Sequence, residues 1–317
     1  MNTVKDLKKS DPLGWRSLRS VGGLFAFSLI FSAIMAPPIF NALLWLGRHV
    51  DRLKMLRDVE FESVVSRCFL VLMILGCIPF MKGGGMGHVV DLGFQKDISW
   101  LKKVLKGLST GCLTMAGLFL LGWGLNAYTL KLVLPVDVVI KLSSYFVGAL
   151  IVGVLEETFF RGFLFGVLRR PLGYCGGLLL SSLIFSVIHF AKPNPAIGVV
   201  YGHWYSGLAL FPSMFRFVGP SYHYFPFFLT LFFMGMIMCV FYDLHHHIYF
   251  IIGLHAGWVF IMRTGKFLFE RNPNSYLYLF GHSSIIEKSY SALIMALIFS
   301  AGVLYWRRSL KRFEVVC

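Results

Sequence analysis

The chain has 317 residues, of which 57% are apolar, 16% aromatic and only 14% charged. A soluble chain carries roughly 25% charged residues, so the polar surface needed for life in water is missing, and the mean hydropathy of +0.71 agrees. This excludes a cytosolic globular enzyme, a disordered chain and a nucleic-acid binder, despite a net charge of +15. The composition is that of a multi-pass integral membrane protein whose first partner is the lipid bilayer, with no nucleic acid among its partners.

Residues 1–20 form a basic segment with Lys5, Lys8, Lys9, Arg16 and Arg19. The apolar run that follows, 21–46, is longer than the roughly 7–15 residues of a signal-peptide core and has no A-x-A site. It is expected to be an uncleaved first span, kinked at Pro37-Pro38. A helical span needs about 20 mainly apolar residues, and seven more candidates follow at 64–81, 105–126, 143–168, 176–191, 225–242, 247–263 and 289–306. The expected fold is therefore all-α, a bundle of about eight transmembrane helices. Segment 82–104 opens on three glycines and carries Lys96, Lys102 and Lys103, so it reads as a loop plus an interfacial amphipathic stretch. The longest connection, 192–224, is rich in aromatics, Pro and Gly and is expected at the membrane interface. We divide the chain into the basic segment 1–20, N-terminal membrane helices 21–139, a catalytic membrane domain 140–263, and a last loop, helix and basic tail 264–317. No repeat of 20–50 residues is visible.

Lys and Arg in the flanks favour, by a small margin, both termini in the cytoplasm. The compact loops suggest a bacterial plasma membrane. The cysteines at 68, 77, 112, 175, 239 and 317 are scattered without a CxxC pair, which supports neither a disulfide framework nor a metal-ligand set. With Cys317 last, the C-terminus is not a prenylation box. Nothing in the sequence fixes the oligomeric state.

Three charges, Glu156, Glu157 and Arg161, sit deep in the fourth span. An ionised side chain at the centre of a bilayer costs at least about 2.5–3.5 kcal/mol, so three within six residues need a reason. Glu157 and Arg161 are i and i+4 and can pair on one helix face. Glu156, turned about 100° from Glu157, looks into the bundle. Ala149 and Gly153 continue the Glu157–Arg161 ridge, and Gly162 with Gly166 makes a small-xxx-small step that lets a neighbouring helix approach. A buried ion pair that fixes packing explains Glu157 with Arg161 but not Glu156. Of ten histidines, His189 and His255 fall inside apolar runs. His245-His246-His247 reads as an interfacial turn, because three consecutive histidines cannot all face one ion. Imidazoles and carboxylates converging in a bundle suit two chemistries. One is metal binding, but no HExxH helix is present. The other is general-base activation of water with stabilisation of a developing oxyanion.

Glu156–Gly162 (EETFFRG), the FxxxH of Phe185–His189, and His255 in Gly253-Leu254-His255-Ala256-Gly257-Trp258 together resemble the CAAX prenyl protease type II family. This family is also called the ABI or CPBP family of glutamic intramembrane proteases. The resemblance covers about 140–262, with a weaker echo in Leu92-Gly93-Phe94, and the family bundle usually has eight membrane helices. It implies a hydrolase, an endopeptidase acting on a membrane-associated protein or peptide without a metal or other cofactor. Glu156 and His189 would activate the water, Glu157 and Arg161 would position that pair, and His255 would stabilise the oxyanion, with Phe185 packed beside the site. The family's last motif is often HxxxN, and here Val259 stands in the Asn place. That substitution keeps a second expectation open, a non-catalytic membrane scaffold or bacteriocin-immunity-type protein of the same family.

Overall fold

A computed structural model describes residues 12–83, 89–133, 135–190, 203–210, 225–275, 278–280 and 289–316. The described chain is almost entirely helical, and the expected all-α membrane architecture is what it shows. Most of the 192–224 connection and residues 84–88, with the rest of the glycine run after Gly83, lie outside the described residues. By length and composition, five helical stretches among the described residues can cross a membrane: Val21–His49, Trp100–Gly124, Lys141–His189, Phe225–His245 and Tyr290–Arg307.

Two compact units are present, one of residues 1–87 and 187–220, the other of 88–186 and 221–317. In the first, α1 (Pro12–His49) packs along α2 (Phe61–Gly83), with a 3-10 turn at Asp51–Asp58 between them. Gly76 admits the side chain of Leu24, and Phe40 meets Phe61 edge-on, next to Val64, Val65 and Leu210. Helix α1 continues through Pro37 and Pro38, where a kink was expected. Pro37 has no N–H to offer the carbonyl of Ala33, four residues back. The short helix α6 (Ser206–Ala209) brings Gly207 against that carbonyl so closely that a Cβ there would fall 2.0 Å from the oxygen. No side chain larger than hydrogen fits there.

The second unit holds the remaining elements. They are α3 (Trp100–Gly124), α4 (Pro135–Glu157), a π-helical segment Thr158–Phe165, α5 (Gly166–Phe190), α7 (Phe225–His245), α8 (Tyr249–Leu268) and α9 (Tyr290–Val316). The last residues of α5, from 187 on, are the exception and cluster with the first unit. The stretch Lys141–His189 is 49 residues long, about 74 Å if straight at roughly 1.5 Å per residue, more than twice a ~30 Å hydrocarbon core. It is not straight. Gly173 takes φ +69° and ψ 178°, a conformation open to glycine, and the helix folds back on itself there. A Cβ on Gly177 would lie 2.7 Å from the Arg169 Cα, and the rings of Phe160 and Phe185 stand 4.9 Å apart. The fourth and fifth expected spans are thus an antiparallel pair joined by a turn much tighter than a loop over 169–175.

Helices α3 and α8 make the closest contact in this unit, through two glycines on each. Added Cβ atoms on Gly107 and Gly111 would fall 2.0 and 2.3 Å from the carbonyl oxygens of Phe250 and Leu254. On Gly253 and Gly257 they would fall 2.0 and 2.5 Å from those of Val104 and Leu108. Paired GxxxG steps of this kind let helix backbones touch where lipid gives no hydrophobic drive for association. Trp258 reinforces the seam by donating from its indole N–H to Thr114 Oγ1 at 2.9 Å. A two-stranded antiparallel sheet, β1 (Tyr128–Leu130) with β2 (Phe269–Arg271), ties the far ends of α3 and α8 together.

Candidate active site

The fourth span carries its charges where α4 passes into the π-helical segment. Glu157 is the last α-helical residue and Arg161 lies mid-segment; both side chains are almost fully buried. π-Helical insertions are rare and concentrate at functional sites. The widened turn keeps Arg161 over Glu157, with Nη1 donating to Glu157 Oε1 at 2.9 Å. Ser181, across the hairpin, donates at 3.4 Å to the carbonyl of Phe160 inside the π segment. A Cβ on Gly162 would come within 2.7 Å of the Leu92 carbonyl, so the 3-10 turn Val89–Leu92 rests on this segment. Gly93, at φ +90°, leaves no room for a side chain against Tyr242 and Ile248. The Leu92-Gly93-Phe94 stretch is thereby a wedge against the site helices.

The Arg161 guanidinium lies 4.5 Å over the Phe185 ring and 5.6 Å from the Phe160 ring, and Nη2 reaches the Gly235 carbonyl at 3.5 Å. Cation–π contact is strongest where water is excluded, as it is around this buried group. Gly235 lies on α7. Its structural use is to let α7 approach α5, since a Cβ would lie 3.1 Å from Ser182, and so to bring its carbonyl to Arg161.

His255 enters from α8 between Gly253 and Gly257. Its Nδ1–H donates to Glu157 Oε1 at 2.6 Å, the same oxygen that accepts Arg161. Binding Nδ1 to the carboxylate fixes the ring orientation and leaves Nε2 directed to Glu156, whose Oε2 lies 3.9 Å away. The Glu156 side chain is 19% exposed, whereas that of Glu157 is fully buried. Four of the five residues singled out from the sequence, Glu156, Glu157, Arg161 and His255, thus meet in one cluster. The fifth, His189, is half-buried on the last turn of α5, in a segment that clusters with the first unit. Val259 is half-buried one helical turn after His255. Among the described residues no three His, Cys, Asp or Glu side chains converge to hold a metal ion.

Reasoning from sequence missed the supports of His255: the paired glycines of α3 and α8, and the Trp258–Thr114 bond. The signal was present as two GxxxG steps, at 107–111 and 253–257.

Residues 139–261 match the family model described as "Rce1-like: Type II CAAX prenyl endopeptidase Rce1-like". No match to the chain was found among curated proteins or among solved structures. The matched stretch contains the whole buried cluster, and over it this integral membrane protein is similar to the CAAX protease (CPBP) family, a family of proteases.

Proposed function

We propose that the protein is a glutamic intramembrane endopeptidase that hydrolyses a peptide bond of a membrane-associated protein or peptide without a metal ion. The observation that carries this reading is the division of labour between adjacent carboxylates. Glu157 gives its Oε1 to both Arg161 and His255 and is fully buried, while Glu156 is the more exposed and faces His255 Nε2. Glu156, with His189 as its proposed partner, takes a proton from water as the water oxygen attacks the carbonyl carbon. The carbonyl π pair moves to oxygen, and His255 Nε2–H stabilises the charge that develops there. When the C–N bond breaks, the proton held by Glu156 passes to the leaving amine. Arg161 and Glu157 act through His255 and are positioning residues.

The test uses full-length protein in liposomes with a fluorogenic peptide ending in a prenylated Cys-aliphatic-aliphatic-X tail. Cleavage should fall at least about 10²-fold in Glu156→Gln and in His189→Ala and should persist in EDTA. Equal cleavage by wild type and Glu156→Gln would refute the assignment. Val259, which cannot donate a hydrogen bond, favours the second reading of a non-catalytic scaffold. On that reading Glu156→Gln leaves the biological phenotype intact.

A further inference from the structure

We infer that the turn between α7 and α8 is a transition-metal site formed by two imidazoles, those of His245 and His247. Their rings are nearly parallel, at 12°, with centroids 5.5 Å apart. Two imidazoles bound to one tetrahedral ion at about 2.0–2.1 Å per nitrogen place their centroids roughly 5 Å apart, close to the observed separation, and the nearly parallel rings would have to rotate to turn a nitrogen each toward one ion. His246 between them is turned away by a positive φ of 54° and is exposed. The alternating arrangement solves the problem that three consecutive histidines pose for a single ion.

Three further observations point to a ligand here. The Nδ1 of His247 is buried and makes no hydrogen bond to another residue. A buried polar nitrogen left in this way is unfavourable unless something binds it. The His245 ring is held among Phe241, Phe250 and Trp306, at centroid distances of 6.1 to 6.2 Å. The main chain of the turn is also clamped from outside. Gln95 donates to the His246 carbonyl at 2.8 Å, Tyr249 donates to the Gln95 carbonyl at 2.6 Å, and the Ile248 N–H donates to the Gly93 carbonyl at 3.2 Å.

Imidazole pairs suit zinc, copper or nickel, with copper bound most strongly. Lys103 and Lys106 of α3 lie close enough to act on this pair, and Lys103 is itself ion-paired to Asp97. Their charge opposes a dication, so the site is expected to exchange its metal readily. Solvent completes the coordination. The inference is independent of the proposed peptidase chemistry.

The test is zinc(II) titration by calorimetry on the full-length, tag-free protein in detergent. Electron paramagnetic resonance with copper(II) supplements it. One ion per chain should bind, with nitrogen hyperfine splitting from two imidazoles. Affinity should fall at least tenfold in His245→Gln and in His247→Gln and hold in His246→Gln. Metal-free melting midpoints show whether each variant is folded. Should His247→Gln not fold, the exposed His245 position decides alone. No saturable binding, binding that survives the double His245/His247 variant, or an equal loss in His246→Gln would overturn the site.

Discussion

Glu157 Oε1 receives two donors at once, Arg161 Nη1 at 2.9 Å and His255 Nδ1 at 2.6 Å. One oxygen therefore sets both the guanidinium and the imidazole, and through the imidazole the direction of Nε2. Taking away one member of a buried ion pair strands the other, at a cost of about 3–5 kcal/mol. Arg161→Met should therefore lower the melting midpoint in detergent strongly, and Glu157→Gln should do so less because an amide oxygen still accepts a hydrogen bond. In a double-mutant cycle the two losses should not add. Additive losses would show that the pair is not coupled.

A second prediction concerns the seam between α3 and α8. At Gly107 and Gly253 a single methyl group would sit 2.0 Å from a backbone oxygen, so the helices must separate to admit it. Overpacking of this kind costs about 1–3 kcal/mol or more. His255 stands between Gly253 and Gly257, and separation moves it away from Glu157. Gly107→Ala and Gly253→Ala should lower both the melting midpoint and kcat. Gly117 lies on the same α3 helix, and nothing approaches its position within 4 Å. Gly117→Ala should be neutral or stabilising by up to about 1 kcal/mol from helix propensity alone. If Gly107→Ala and Gly117→Ala behave alike, the seam does not position His255.

The membrane class was legible because hydropathy sums over some 20 residues and tolerates local exceptions. The cluster was legible for the opposite reason, since a charge in lipid stands out singly. The i,i+4 spacing reveals Arg161 as a partner of Glu157, but the second partner, His255, comes from 98 residues away, and only tertiary packing joins them. The π-helical segment was not legible, because its hydrogen bonds are selected by what packs against it: Leu92 on Gly162 and Ser181 on Phe160. The hairpin at Gly173 left a trace in Pro171-Leu172-Gly173. Sequence could not show that one residue at positive φ suffices to reverse the chain.

The start of α3 supplies a pH-dependent prediction. Asp97 accepts from the Ser99 N–H and Oγ–H, both at 2.7 Å, and is ion-paired to Lys103. These contacts, the Lys103 bond first, hold its carboxyl well below the usual carboxylate range. A depressed folded pKa contributes stability that is present above the unfolded value, near 3.9, and fades as pH falls through the folded value. Asp97→Asn should therefore melt slightly earlier than wild type at pH 7, and the gap should close as pH drops below about 4. A gap that is constant with pH would place the effect in something other than the carboxylate's charge.

Val259 offers the sharpest test of whether the site carries out its chemistry at reduced power. It lies one helical turn beyond His255 on α8 and is half-buried, where the family motif often has Asn. A missing oxyanion donor typically costs about 10²–10³ in rate. If His255 alone supports the oxyanion, Val259→Asn adds the second donor on the same helix face. The amide also replaces an apolar contact in a partly buried place, which costs about 1–3 kcal/mol of stability. The expected result is a variant that melts earlier yet cleaves the prenylated probe peptide up to about 10²-fold faster, with the gain in kcat more than in KM. The gain should vanish when Glu156→Gln is combined with it. A stable Val259→Asn protein with unchanged kcat would place the oxyanion elsewhere and remove His255 from the role proposed for it.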